Sequence, residues 1–355
     1  MLIFENMMVL LIVALLLLQV SRRFALPYPS MLALAGGCVA TLPWAPQVTI
    51  DPHLALVLFI APALLDSAFD TGVRELRRNW LPLVSLVVVA VLLTTAAVAW
   101  AGVAMAGLPL AAAITLGAIV APPDAVAAAA VMQQFRLPRR TMTVLNGESL
   151  LNDAVALLVF GAAVSAVATP GVWLTQSAPM LLIAVPAGAL LGYVMGKIDV
   201  HLLPLAAGTL SSTILQFVLT FGTWMLAERL HVSPIIAVVV FAMTIARYVP
   251  AQATPRDRVH SNSVWGAVVF VLNVLAFLLM GLQARAIVER LSGQELVDAL
   301  KFAGVVLLIV IVVRVAWVMT YGVLVRCFKA LLEPDMPMPS KRVGLLVGWA
   351  GMRGL

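Results

Sequence analysis

The sequence predicts an all-α polytopic membrane protein, and three observations carry that prediction. Of the 355 residues, 63% are hydrophobic and only 11% are charged, with a mean hydropathy of +1.08. A soluble core does not absorb that much apolar surface, whereas a bundle of membrane helices does. Apolar segments also recur along the whole chain at lengths close to the roughly 20 residues a helix needs to cross hydrocarbon. Finally, lysine and arginine alternate between successive connections, as membrane topology requires.

The apolar segments fall at about 6–20, 27–43, 52–69, 80–105, 109–132, 143–168, 174–196, 204–227, 233–246, 264–282 and 302–325, and a twelfth begins near Val343. That is about eleven full spans plus a partial twelfth; the second and ninth are short or broken by proline. The first segment contains Glu5 and lacks a basic flank, so it reads as a span and not as a cleaved signal peptide. Connections after odd-numbered spans hold Arg22, Arg23, Arg74, Arg77, Arg78, Arg136, Arg139, Arg140, Lys197, Arg247, Arg256, Arg258, Arg326, Lys329, Lys341 and Arg342. Those after even-numbered spans hold only Arg229, Arg285, Arg290 and Lys301. The positive-inside rule then places the N-terminus outside and the basic connections in the cytoplasm. The net charge of +6 follows this placement and is no sign of nucleic-acid binding. Cys38 and Cys327 form no motif.

No hydrophilic domain or short-period repeat appears, so residues 1–355 read as a single transmembrane domain. The chain stops at Gly351-Met352-Arg353-Gly354-Leu355, so the segment from Val343 has thirteen residues. That is short of the ~20 a span requires, and the expectation is a domain incomplete at its C-terminus.

The chemistry sits in two of these segments. In the fifth, Asp124 follows Ala121-Pro122-Pro123. Two successive prolines remove two backbone donors and obstruct the preceding turn, so the span is expected to break there and expose carbonyls to a cation. The plainer alternative is that Asp124 caps the second half of a merely kinked helix. A carboxylate at mid-membrane depth costs roughly 3 kcal/mol or more, which favours a use for it.

In the sixth segment, Gly147-Glu148-Ser149-Leu150-Leu151-Asn152-Asp153 precedes only fifteen apolar residues, Ala154 to Ala168. The helix must therefore start earlier and carry these polar groups into the membrane. At 3.6 residues per turn, Ser149 and Asp153 stack on one face, and Glu148 and Asn152 on an adjacent one. The first face offers hard oxygen ligands for an alkali cation. The alternative places the acids in the first helical turn, in head-group water. Arg314 lies about 11 residues, or roughly 16 Å of helix, from either end of the eleventh segment, too deep to snorkel, and Glu148 is its expected partner. Asn273 is an intramembrane amide that either bonds between helices or lines a pathway. Gly188, Gly192 and Gly196 have the spacing of close helix packing. Gly147-Glu148-Ser149 lacks the closing glycine of a nucleophile elbow.

These residues resemble a bacterial cation/proton antiporter-1 family member, a sodium/proton exchanger. The likeness rests on Gly117 through Ala127, on Gly147 through Ala154, on Trp265 through Gln283 with Asn273 and Gly281, and on Gly348-Trp349-Ala350-Gly351-Met352-Arg353-Gly354. The resemblance implies an antiporter fold of inverted repeats, thirteen helices in all, with broken helices five and twelve crossing at the ion site. It implies that Asp153 alternates between cation and proton, assisted by Asp124, Ser149 and backbone carbonyls near Pro123, with Asn152 in support. It also implies a structural Glu148–Arg314 pair, with Pro123, Asn273 and Arg353 as further pathway candidates. Asn152 in place of a second aspartate goes with electroneutral exchange in this family. The expected cargo is Na⁺, held by Asp153 and Asp124, or Li⁺ or K⁺, against H⁺. No cofactor and no nucleic acid are expected, a homodimer is allowed, and the setting is the bacterial inner membrane. The family's usual threonine is Pro123 here, and Ala125 replaces a proline, so one hydroxyl ligand is missing.

Two rival readings follow from the same residues. Asp124 and Asp153 on consecutive spans could form the proton-sharing dyad of an intramembrane aspartyl protease, although neither sits in a Gly-x-Gly setting. The chain could also be a transport-incompetent fragment of an antiporter.

Overall fold

Helix follows helix along the chain, and no strand forms among the described residues. The computed structural model describes residues 2–24, 28–41, 51–69, 71–123, 138–168, 173–206, 211–252, 255–288, 290–291, 293–328 and 341–350. The helices are α1 (Leu2–Phe24), α2 (Tyr28–Ala40), α3 (Pro52–Phe69), a short α4 (Val73–Arg78) and α5 (Trp80–Ala106). They continue as α6 (Leu110–Val120), α7 (Arg139–Ala168), α8 (Trp173–Ala206), α9 (Ser211–Arg229), α10 (Pro234–Gln252), α11 (Pro255–Val288), α12 (Gln294–Cys327) and α13 (Lys341–Ala350). Six stretches among the described residues are long and apolar enough to cross a membrane, in α3, α5, α7, α8, α11 and α12. Shorter apolar stretches lie in α1, α2, α6 and α10. The outer faces carry Trp100, Leu190, Ile214 and Leu308, all exposed, as contact with lipid demands.

Local signals set the helix ends. Asp51 accepts a hydrogen bond from the Leu54 amide at 3.0 Å, and Pro52 occupies the first turn, where its missing N–H costs nothing. Helix α5 ends on Gly107 at φ +61°, a left-handed conformation suited to glycine, while the Leu108 amide bonds back to the Gly102 carbonyl at 3.1 Å. Two widened π turns interrupt otherwise α-helical stretches, at Leu56–Ile60 in α3 and Ser85–Ala90 in α5. At the second, the Trp317 indole N–H of α12 donates to the Ser85 carbonyl and hydroxyl, each at 3.0 Å.

One boundary differs from expectation. The seventh and eighth segments were expected to part around Lys197, but α8 runs unbroken to Ala206. Lysine is a good helix former, and its ammonium sits 3.8 Å from the centre of the Tyr248 ring on α10, so its charge is met beside the helix without a loop.

The helices pack in two groups. In one, α2 lies along α11, and α8 along α10, with α3 and α9 against α10. In the other, α5, α6 and α7 pack in sequence, and α12 lies against α5 and α13. The largest core cluster joins the groups, with Leu64, Leu65 and Ala68 of α3 beside Leu150 and Ala154 of α7.

The glycine spacing in α8 is tight helix packing, as expected. A Cβ on Gly188 would come within 2.7 Å of the Ser233 carbonyl, and one on Gly192 would fall onto the Ala237 carbonyl oxygen. Backbone cannot rotate aside as a flexible side chain can. Gly192→Val is therefore expected to destabilise the fold by roughly 1–3 kcal/mol or more. The check is thermal melting in detergent, and a melting point equal to the parent's would show that α8 and α10 can part at no cost.

Candidate ion site

Helix α6 stops at Val120; Ala121 keeps helical dihedrals as its cap, and Pro122 and Pro123 lie beyond the helix. Pro122 and Pro123 cannot donate to the carbonyls of Ala118 and Ile119, so the ladder ends where the sequence predicts. The Pro123 carbonyl does not stand alone, because the Asn152 side-chain amide of α7 donates to it at 3.1 Å. Asn152 thus ties the break to the neighbouring helix. A carbonyl has two lone pairs, so this bond leaves one of them for a cation. Asp124 lies outside the described residues.

Helix α7 begins at Arg139, nine residues before Glu148, so the acids lie beyond its first turn. Glu148 is 1% exposed and Asn152 0%. The predicted two-face division holds. On the inner face, both Arg314 terminal nitrogens donate to Glu148: Nη2 to Oε2 at 2.8 Å, and Nη1 to Oε1. Arg314 Nη2 also reaches the Val347 carbonyl at 3.4 Å, which links α7, α12 and α13. The pairing is bidentate, the geometry in which guanidinium and carboxylate compensate each other best when buried.

The other face looks into a cavity of about 740 Å³ between the two helix groups. Ser149, Asp153, Pro122 and Pro123 line it from the α6–α7 side, and Ser67 and Asn273 from the α3–α11 side. The rest of the wall is apolar, including Phe59 and Ile60 from the first π turn. Asp153 is the one acid among the described lining residues. Its backbone amide donates to Asn152 Oδ1 at 2.7 Å, and the Ser149 hydroxyl donates to the Asn146 carbonyl at 2.9 Å. The serine oxygen therefore keeps acceptor capacity toward the cavity. Asp153 and Ser149 of α7 and the proline pair at the end of α6 thus border one chamber, and carboxylate, hydroxyl and carbonyl oxygens are the ligand types that suit a hard monovalent cation.

Asp153, Ser149, Pro123 and Asn273 thus meet at one cavity, while Glu148, Asn152 and Arg314 lie buried behind it. Arg353 falls outside the described residues. Two polar residues escaped the sequence reading. Ser67 lines the cavity, and its signal was a hydroxyl inside the apolar third segment. Asp199 is fully buried on α8 with no hydrogen-bond partner for either carboxylate oxygen among the described residues. Its signal, an acid two residues after Lys197, was hidden by the expected loop.

The chain is similar to known proteins in both sequence and fold. Residues 8–355 match the family described as "Sodium/hydrogen exchanger, transmembrane". The chain is 29% identical over 340 residues to an uncharacterized Na(+)/H(+) exchanger of Mycobacterium tuberculosis, covering 94% of this chain and 61% of that protein. It is 28% identical over 350 residues to the sodium, potassium, lithium and rubidium/H(+) antiporter of Bacillus subtilis, covering 93% of this chain and 50% of that one. The chain thus spans half to two thirds of the length of these curated relatives. Its fold is similar to that of the sodium proton antiporter MjNhaP1 from Methanocaldococcus jannaschii, with a TM-score of 0.66 at 14% identity, over 99% of this chain and 94% of that one. These likenesses are to transporters and set aside the protease reading. A bundle of long apolar helices, a helix that ends at two prolines beside a buried asparagine and a cavity-lining aspartate, and a family match over residues 8–355 place the chain in the sodium/hydrogen exchanger family, as a multi-pass membrane protein.

Proposed function

We propose that this chain exchanges a monovalent cation, Na⁺ first among the candidates, for H⁺ across the membrane. The observation that supports this most is the convergence of Asp153, Ser149 and the Pro122–Pro123 break on one cavity, with Arg314 meeting the nearby Glu148. Asp153 carries either the cation or a proton, and Asp124 and the Pro123 carbonyl assist it. Only these two neutralised forms let the helices carrying the site move between membrane faces. One carboxylate exchanging one cation for one proton makes the cycle electroneutral and suits it to sodium and pH homeostasis. The basic connections face the cytoplasm in this reading, and the N-terminus lies outside.

The test is proton flux driven by Na⁺, Li⁺ or K⁺ in everted vesicles containing this chain, followed with a pH-sensitive dye. Flux above that of empty-vector vesicles is expected, and its dependence on each ion identifies the cargo. No flux with the chain verified in the membrane would overturn the proposal for this chain.

A further inference from the structure

We propose that the Ser67 hydroxyl is a selectivity-determining cation ligand, reaching the site from the wall opposite Asp153. The inference rests on reading the cavity as the exchange site. Four polar side chains are found among the described lining residues: Ser149 and Asp153 on one wall, Ser67 and Asn273 on the other. Ser67 is solvent-accessible there, two residues before the end of α3. Its neighbours Leu64, Leu65 and Ala68 belong to the same buried cluster as Leu150 and Ala154, the residues next to Ser149 and Asp153 on α7, and α3 packs against α7. The backbone at Ser67 is pinned, since its carbonyl accepts the Thr71 hydroxyl at 2.7 Å. Ser67 itself lines the cavity.

The chemistry gives this placement a purpose. Pro123 has no hydroxyl to offer, so Ser67 and Ser149 are the only hydroxyls among the described lining residues. An alkali ion that leaves water needs hard oxygens to replace its shell, and their number and spacing separate Na⁺ from K⁺. Ser67 belongs to the helix group that packs around α10, and Asp153 to the group around α5 and α7. A cation engaged by both would lose the Ser67 contact whenever the groups shift. Ser67 would then hold the ion in one conformation of the cycle and bias selection there.

The test uses this chain in everted vesicles. Ser67→Ala is expected to raise the Na⁺ concentration for half-maximal proton flux about tenfold, the effect of one lost ligand, and the K⁺ value by less. Ser67→Thr, which keeps the hydroxyl, should restore the parent's Na⁺ value. Half-maximal concentrations within twofold of the parent for both ions would overturn the inference while leaving exchange at Asp153 intact. A second measurement does not need transport. With Cys38 and Cys327 replaced by alanine, Ser67→Cys is expected to be alkylated by a cationic methanethiosulfonate, and saturating Na⁺ should slow that reaction. Equal rates with and without Na⁺ would overturn the inference. Protection by Na⁺ in a chain without cation-driven flux would support Ser67 as a ligand and overturn only the exchange reading.

Discussion

Asp153→Asn is expected to reduce cation-driven proton flux to the level of empty vesicles while leaving the amount of protein in the membrane unchanged. Asparagine keeps the shape of the side chain but has neither a charge to neutralise a cation nor a site for the returning proton. The local backbone should survive the change, because the Asp153 amide is held by Asn152 Oδ1 and does not depend on the carboxylate. Helix α7 is also anchored independently through Glu148 and Leu150, both fully buried. The measurement is dye quenching in everted vesicles, with the quantity of each variant checked by immunoblot. Retained flux in the asparagine variant would mean that cation and proton do not compete for Asp153, and the single-site mechanism would fall.

Arg314→Leu is expected to destabilise the protein by about 3–5 kcal/mol, because it strands the Glu148 carboxylate in a site that is 1% exposed. Glu148→Gln should cost less, since the amide still accepts one hydrogen bond from the guanidinium. Arg314→Lys is not conservative here, because an ammonium cannot make the bidentate contact or reach Val347 as well. Combining Glu148→Gln with Arg314→Leu is expected to cost less than the two single losses together, since no unpaired charge is left behind. Thermal melting of the purified variants reads this coupling. Strictly additive losses would show that the two side chains stabilise the fold separately. The link from Arg314 to the α13 backbone predicts a further effect: α13 should become more accessible to labelling in Arg314→Leu than in the parent.

Much of this site was legible in the primary structure, for identifiable physical reasons. The break at Pro122–Pro123 follows from missing donors, a covalent property that no packing can restore. The division of Glu148 and Asn152 from Ser149 and Asp153 follows from helical periodicity once fifteen apolar residues prove too few to span. Arg314 announced a buried partner because the middle of a long apolar helix leaves a guanidinium no route to water. In each case the membrane narrows the options, since a polar group in hydrocarbon must be satisfied by protein.

Other features depend on which helices touch, and no local pattern encodes that. The Asn152 bond to the Pro123 carbonyl joins residues 29 apart, and an asparagine in a helix has many conceivable partners. The continuity of α8 through Lys197 depends on the Tyr248 ring of α10, so charge alone misplaced its end. Ser67, next to Asp66 near the end of an apolar segment, gains its place at the cavity only because α3 packs beside α7. What the sequence determined by itself was the membrane class, the end of α6 at the double proline, the paired Glu148 and Arg314, and the carboxylate proposed to bind the cargo. Only the tertiary structure decided which oxygens share a cavity with that carboxylate, because hydrocarbon makes every buried polar group seek a partner but leaves the choice of partner to helix packing.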